Sequence, residues 1–132
     1  MMFQQDGSYQ HRFTVTQEVY DHFQICSQDR NPLHTDEAFA RGKGFPERVM
    51  YGNILNAFLS YFVGECLPTK DVIIHSQSIA FKRPVFLNET LDFEATVSGV
   101  YEAVNAVEFK YKFTKPDKTV AAKGVIQIGI LA

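Results

Sequence analysis

The sequence predicts an α+β domain, with a curved antiparallel sheet of about five strands wrapped around one long central helix. Three observations carry this reading. First, the run from Tyr51 to Leu67 places Ile54, Leu55, Phe58, Leu59, Phe62, Val63, Cys66 and Leu67 at helical spacings. A helix this apolar must bury most of its surface. Second, four strand-like runs follow it, Val72 to Phe81, Leu91 to Ser98, Ala106 to Phe113 and Thr119 to Ile130. Only short turns separate them, leaving no room for crossover helices, so they should pair antiparallel. Third, Tyr9, His11, Phe13 and Val15 alternate near the N-terminus, which adds a strand over Ser8 to Val15. A strand, then helices, then a run of strands is an α+β order.

Between the first strand and the long helix, Thr16 is a helix N-cap candidate and Glu18 puts a negative charge in the first turn. Val19, Tyr20, Phe23 and Ile25 follow at near-helical spacing, and this helix should stop near Ser27. Pro32 disfavours a helical Asn31, so residues Asp29 to Leu33 should not be regular helix. Thr35 can cap a second short helix over Asp36 to Ala40, which Gly42 and Gly44 break. The long helix should run from Tyr51 to Leu67, about 25 Å, and end at Pro68. Along it Gly52, Asn56, Ser60 and Gly64 form a row of small or polar side chains at four-residue spacing. That row suits either packing against a neighbour or close approach of a ligand. Further on, Pro84 to Asn88 reads as a bend, Gly99 to Asn105 as a turn and Pro116-Asp117-Lys118 as a tight hairpin. Phe109, Tyr111 and Phe113 alternate with Lys110 and Lys112, giving one apolar face and one wet one.

The 132 residues fit a single domain, 1–132. Thirteen Lys and Arg against fifteen Asp and Glu leave a net charge of -2, which supplies no basic footprint for nucleic acid. No apolar run approaches the roughly 20 residues of a membrane span, and the N-terminus lacks a signal-peptide core. Cys26 and Cys66 make neither a disulfide framework nor a zinc site. Both are expected to be buried free thiols, and the compartment reads as cytoplasmic.

The polar loop from Asp29 to Asp36 holds the candidate chemistry. Asp29 and His34 are five positions apart, which a helix would place about 500° apart on poorly matched faces. A loop set by Asn31-Pro32 removes that objection. A carboxylate and an imidazole can then converge on one small molecule and exchange protons near neutral pH. Two such partners could hold and activate one water without a metal. Alternatively, Asp29 caps a turn and His34 is a surface residue. A metal held by His34, Asp36 and Asp29, with His22 or His75, follows no spacing with a physical basis. Ser27 and Ser60 sit in no nucleophile context, and no phosphate-binding or dinucleotide-binding glycine pattern is present.

The run Q-D-R-N-P-L-H-T-D-E-A-F-A resembles the signature of MaoC-like (R)-specific enoyl-CoA hydratases. F-P-E-R-V-M-Y-G-N and Q-S-I-A-F-K-R-P-V-F-L-N-E-T-L are similar to further segments of that family. The resemblance runs from about Phe13 to the C-terminus. It implies a hot-dog fold and a homodimer, or a dimer of dimers or trimer of dimers. An acyl-CoA or acyl-carrier-protein thioester would be bound near the subunit interface, with no cofactor. It also implies that Asp29 and His34 are the catalytic pair holding the water and that Asn31 shapes the loop. The Gly52 N–H would donate to the thioester oxygen, while Tyr51 and Ser60 face the substrate. Two positions depart from the family pattern. Gln28 stands where glycine is usual before the aspartate, and Tyr51 where histidine is usual before the glycine. The expected reaction is addition of water across C2=C3 of a trans-2-enoyl thioester, or the reverse dehydration. The alternatives are a non-catalytic acyl-thioester-binding hot-dog protein and, behind it, an acyl-CoA thioesterase. The latter would need a carboxylate in the long helix, where Glu65 near the far end is the sole acidic residue. Lys82 and Arg83 read as a solvated strand edge, with contact to a CoA phosphate as the alternative.

Overall fold

The computed structural model describes residues 2–132. In chain order it has β1 (Ser8–Thr14), α1 (Gln17–Ser27), α2 (Pro32–Thr35), α3 (Glu37–Gly42), α4 (Ile54–Tyr61), a π-helical turn (Phe62–Cys66), and strands β2 (Val72–Phe81), β3 (Thr90–Tyr101), β4 (Ala106–Thr114) and β5 (Val120–Ile130). The five strands form one sheet in the order β1-β3-β4-β5-β2, and every neighbouring pair is antiparallel. This is the hot-dog fold that the pattern of strands predicts.

The apolar face of α4 accounts for the arrangement. Ile54, Leu55, Phe58 and Leu59 are buried, and Phe62 and Val63 continue the stripe. They meet Phe93, Phe109 and Phe113, the inward faces of β3 and β4, all fully buried. The Phe58 ring stacks on Phe13 at 4.5 Å, and Phe62 lies 4.9 Å from Phe93 and 5.4 Å from Phe109. Each such side chain contributes about 1.5–3 kcal/mol on burial, so this aromatic layer fixes the helix against the sheet. Lys110 and Lys112, on the alternate positions of β4, remain exposed.

Five local expectations are corrected. The central helix begins at Ile54, not Tyr51, because Tyr51, Gly52 and Asn53 form a turn in which Tyr51 O accepts the Ile54 N–H at 3.0 Å. Its last five residues, Phe62–Cys66, are π-helical, and Lys70 caps them by donating to Gly64 O at 2.9 Å. A short helix, α2, starts at Pro32 and takes in Leu33. Proline is favoured at a first helical position because its missing N–H would be unpaired there anyway, and the Asn31 side chain caps this turn. The next helix is capped by Asp36, which accepts the Phe39 N–H at 3.1 Å, rather than by Thr35. Thr35 instead turns its hydroxyl back to Asn31 O at 3.2 Å. On α1 the periodic stripe ends early. Tyr20 is buried, but Ile25 and Cys26 are exposed, so Cys26 is not the buried thiol expected; Cys66 is half-buried.

One glycine-type position is filled by another residue. Gln28, the C-cap of α1, has φ 59, in the left-handed region. Its N–H reaches Gln24 O at 2.8 Å, and the chain reverses there to send Asp29 into the loop. A side chain in this region costs roughly 1–2 kcal/mol, which glycine avoids at about 0.5–1 kcal/mol of extra unfolded-chain entropy. Gln28→Gly is therefore expected to raise stability by up to about 1 kcal/mol. A urea midpoint at or below that of the parent protein would contradict this.

Candidate active site

Consecutive hydrogen bonds fold the loop that follows α1. Ser27 Oγ accepts the Asp29 N–H at 3.1 Å, Asp29 Oδ1 accepts the Asn31 N–H at 2.9 Å, and Asn31 Oδ1 accepts the Leu33 N–H at 2.9 Å. The His34 N–H then donates to Asn31 O at 2.9 Å, and the Val49 N–H to Leu33 O at 3.1 Å. Asn, Asp and Ser favour such side-chain-to-backbone turns because their short acceptors reach an amide two residues on. The turn leaves Asp29 one carboxylate oxygen beyond the local bond.

Two buried tyrosines fasten this loop to the rest of the domain. The Tyr51 hydroxyl donates to the main-chain oxygen of Asp29 at 2.6 Å. The Tyr20 hydroxyl donates to the main-chain oxygen of His34 and lies 3.1 Å from Val49 O. Both phenols are at most 3% exposed, so few waters compete for these carbonyls. Burial pushes the Tyr20 hydroxyl up to about 12, against a smaller downward pull from the Arg48 guanidinium. It raises Tyr51 too, with the Asp29 carboxylate adding to the effect. Both hydroxyls are therefore protonated donors throughout the physiological range.

The same packing sets the imidazole. His34 stacks on the Tyr51 ring with centroids 4.3 Å apart and planes 29° apart. Its Nδ1 lies 2.7 Å from Val49 O. A carbonyl only accepts, so Nδ1 carries the hydrogen, and Nε2 is the ring nitrogen left for another partner. Asp29, His34, Tyr51 and Gly52 line one open cavity of about 190 Å³, together with Phe23, Ser27, Asn53 and Phe81. The N–H groups of Gly52 and Asn53 have no protein acceptor among the described residues. They open the N-terminal end of α4, where the helix dipole favours negative charge. Two proton acceptors therefore share one chamber with an anion-stabilising amide, an arrangement suited to proton transfer beside a polarised carbonyl.

Of the six residues singled out in the sequence, four meet at this chamber. Asn31 lies behind it as the cap of α2. Ser60 is exposed on α4 and lines none of the cavities around the loop. Tyr51 lines the chamber, but its hydroxyl hydrogen is committed to Asp29 O, so it positions the loop. Sequence reasoning missed Tyr20, the Val49 carbonyl and Phe81. Tyr20 reads as one more apolar position of α1, and a main-chain oxygen leaves no trace in residue identity. The Phe81 ring lies against Gly52, 3.1 Å from where a Cβ on that glycine would sit. The rival metal set is dispersed: Asp36 caps α3, and His22 and His75 are exposed on α1 and β2.

Tyr20→Phe would leave the His34 carbonyl without its hydroxyl donor, while Val49 O keeps the His34 Nδ1–H. It is expected to cost about 1–3 kcal/mol in chemical denaturation, and an unchanged midpoint would contradict the fastening role. Because both phenols have folded-state values above their ordinary one near 10, their contribution is complete below pH 10. It is lost as pH rises above 10, toward about 12 for Tyr20. Denaturation free energy measured from pH 9 to 11.5 should therefore fall across the upper part of that range; a flat profile would contradict it.

The chain is similar to several known proteins. The family description "MaoC like domain" matches residues 3–120. An (R)-specific enoyl-CoA hydratase of Aeromonas caviae is 38% identical over 61% of this chain and 60% of its own length. This chain thus spans less than two thirds of that relative. A second protein of that description, from Rhodospirillum rubrum, is 31% identical over 81% of this chain and 74% of its own. Among solved structures, an (R)-hydratase from A. caviae superposes with a TM-score of 0.90 at 25% identity, covering 97% of both chains. An R-hydratase from Pseudomonas aeruginosa gives 0.89 at 25% identity, covering 98% of this chain and 83% of that one. With the family description matched over nearly the whole chain, this protein belongs to the MaoC-like domain family.

Proposed function

We propose that the protein is an (R)-specific enoyl-thioester hydratase, a hydro-lyase that adds water across C2=C3 of a trans-2-enoyl thioester and catalyses the reverse dehydration. The observation that carries the reading is the tautomer of His34. With Nδ1–H given to Val49 O, Nε2 faces a chamber shared with the Asp29 carboxylate and the Gly52 N–H. The enzyme names of the two bacterial relatives support the same reaction.

The geometry supplies a mechanism. The thioester oxygen accepts the Gly52 N–H, which draws charge from C3. A water donates one hydrogen to Asp29 and one to His34 Nε2, leaving an oxygen lone pair directed at C3. As the C3–O bond forms, one of the pair takes a proton from the water and the π electrons of C2=C3 move toward the thioester. The enolate-like oxygen is held at the helix terminus. Delivery of a proton to C2 completes a 3-hydroxyacyl thioester. Preorganised donors and a positioned base each contribute about 10²–10³-fold or more.

Two further readings are weaker. A thioesterase would place a carboxylate at the thioester carbonyl. Glu65 is exposed, ion-paired to Lys70 at 2.8 Å and outside the chamber. A purely binding module leaves the fixed Nε2 and the open Gly52 amide without a use.

The assembly proposed is a homodimer, alone or within a dimer of dimers or trimer of dimers. Its support is the edge strand β2, on which Ile73, Ile74 and Phe81 are exposed. An apolar edge of this kind is a ready pairing surface. A reducing, cytoplasmic location is proposed on the unpaired state of Cys26 and Cys66. No helix among the described residues is long and apolar enough to cross a membrane.

Asp29→Ala and His34→Ala are each expected to lower crotonyl-CoA hydration at least about a hundredfold; near-parental turnover in both folded variants would contradict the assignment. Gly52→Ala should lower kcat sharply with a small change in melting temperature, since its Cβ would press only on the exposed Phe81 ring. A lowered melting temperature with a parental rate would assign the glycine to packing. Sedimentation equilibrium should give at least twice the 15.0 kDa chain mass at micromolar concentration, and a 15.0 kDa species alone would contradict the dimer.

A further inference from the structure

The outward face of the sheet, away from α4, carries three lysines that make no ion pair. Lys112 of β4 stands directly opposite Lys123 of β5, and Lys110 lies two residues along β4 on the same face. All three are exposed, and none is in an ion pair among the described residues. Glu94 of β3 is opposite Lys112 in the register but does not come within ion-pair distance of it. Glu108, two residues before Lys110, accepts the Ser98 hydroxyl at 2.9 Å, and Asp92 is taken by Arg12. Like charges directly opposite one another destabilise a sheet, so Lys112 and Lys123 stand together at a cost that no ion pair offsets.

The same face holds an open groove of about 390 Å³. Lys110 and Lys123 line it together with Ser78, Ala80, Gly124 and Val125, and its lining is mostly apolar. It shares no residue with the reaction chamber. Strands β4 and β5 are interior, each bonded to a neighbour on both sides. No free backbone is therefore offered here, and a ligand on this face must be held by side chains rather than added as a further strand. Cβ atoms directly opposite in a sheet are about 4.5–5.5 Å apart, and those two along a strand about 6.5–7 Å. Helix positions i, i+3 and i, i+4 have Cβ atoms about 5–6 Å apart. Glutamates along one border of a helix therefore match the lysine spacing, while apolar residues beside them enter the groove.

We infer that the outward face of β4 and β5, with Lys110, Lys112 and Lys123, is a docking surface for an acidic amphipathic helix of a partner protein. The assignment goes beyond the hydratase reading and does not depend on it. Charge complementarity selects the partner: the three cations are local, and a net charge of -2 leaves the chain without the extended basic field that nucleic acid requires. Binding of the carboxylates would also offset the repulsion between Lys112 and Lys123.

The test compares the whole protein with its Lys110→Gln/Lys112→Gln/Lys123→Gln form. The probe is a labelled helix-forming peptide with glutamates at i, i+3 and i, i+4 beside a stripe of leucines. Fluorescence anisotropy should show binding to the parent that is at least about tenfold weaker in the variant and that weakens as salt rises. A peptide of the same composition in scrambled order should bind the parent at least about tenfold more weakly than the ordered one. No binding of the ordered peptide, equal affinity for the scrambled one, or equal affinity for a single-stranded oligonucleotide of the same charge overturns the assignment. A second measurement separates docking from folding. Without peptide, Lys123→Gln should unfold at a urea concentration no lower than the parent's, because the like-charge pair is relieved. A lowered midpoint would give the lysine a structural role and overturn the assignment. Crotonyl-CoA turnover by the triple variant should match the parent's, and a fall would place the lysines at the substrate instead. The binding outcomes stand whether or not the parent hydrates crotonyl-CoA, so failure of the hydratase reading is distinguished from failure of the docking surface.

Discussion

The structure depends on two phenol-to-carbonyl hydrogen bonds. Tyr51 holds the main chain of Asp29 and Tyr20 holds the main chain of His34, so both ends of the polar loop are fixed to side chains from the interior. Without them the loop would keep its own short turns and its two bonds to Val49, but the main chain of Asp29 would lose its tie to the lead-in of α4. With them, the carboxylate and the imidazole are located against the open amide of Gly52 before any ligand arrives. The Tyr51 ring adds a second function as the surface on which His34 stacks. Where the family usually has histidine at this position, the chain thus uses a neutral donor that burial keeps protonated. Preorganisation of this kind lets hydrogen bonds act on a transition state without reorganisation cost.

The wider fold serves that placement. The aromatic layer of Phe58, Phe62, Phe93, Phe109 and Phe113 fixes α4 against the sheet, and hence fixes where its N-terminal amides point. The left-handed Gln28 reverses the chain between α1 and the loop. The bend after β2 brings Phe81, Lys82 and Arg83 to the same helix end. Three segments distant in sequence thereby meet around Gly52.

Much of this was legible in the sequence, for identifiable reasons. Strands β1 and β4 announced themselves by alternation, because burial of one face repeats every second residue, and β2, β3 and β5 by the turns that bound their strand-like runs. Asp29 and His34 were singled out because Pro32 disfavours a helical Asn31, and the chain does stay outside helix from Gln28 to Asn31, although α2 then starts at Pro32 and takes in His34. The misreadings share one cause, that side-chain periodicity does not report backbone geometry. Apolar spacing continues through Tyr51 and through Phe62–Cys66, so neither the turn before α4 nor its π-helical end was visible. Thr35 and Asp36 are adjacent and equally good caps, and only the fold chose Asp36. The tautomer of His34 rests on the main-chain oxygen of Val49, fifteen residues away, and no side-chain pattern encodes that contact.

The central claim is that the fixed Asp29–His34 pair directs one water at C3 of an enoyl thioester held by the Gly52 amide. Incubation of the protein with crotonyl-CoA in deuterium oxide, followed by mass and chiral analysis of the product, tests it most directly. The account predicts 3-hydroxybutyryl-CoA of (R) configuration with a single deuterium at C2. Free CoA released with unhydrated crotonate, a product of (S) configuration, or no conversion at all would contradict it.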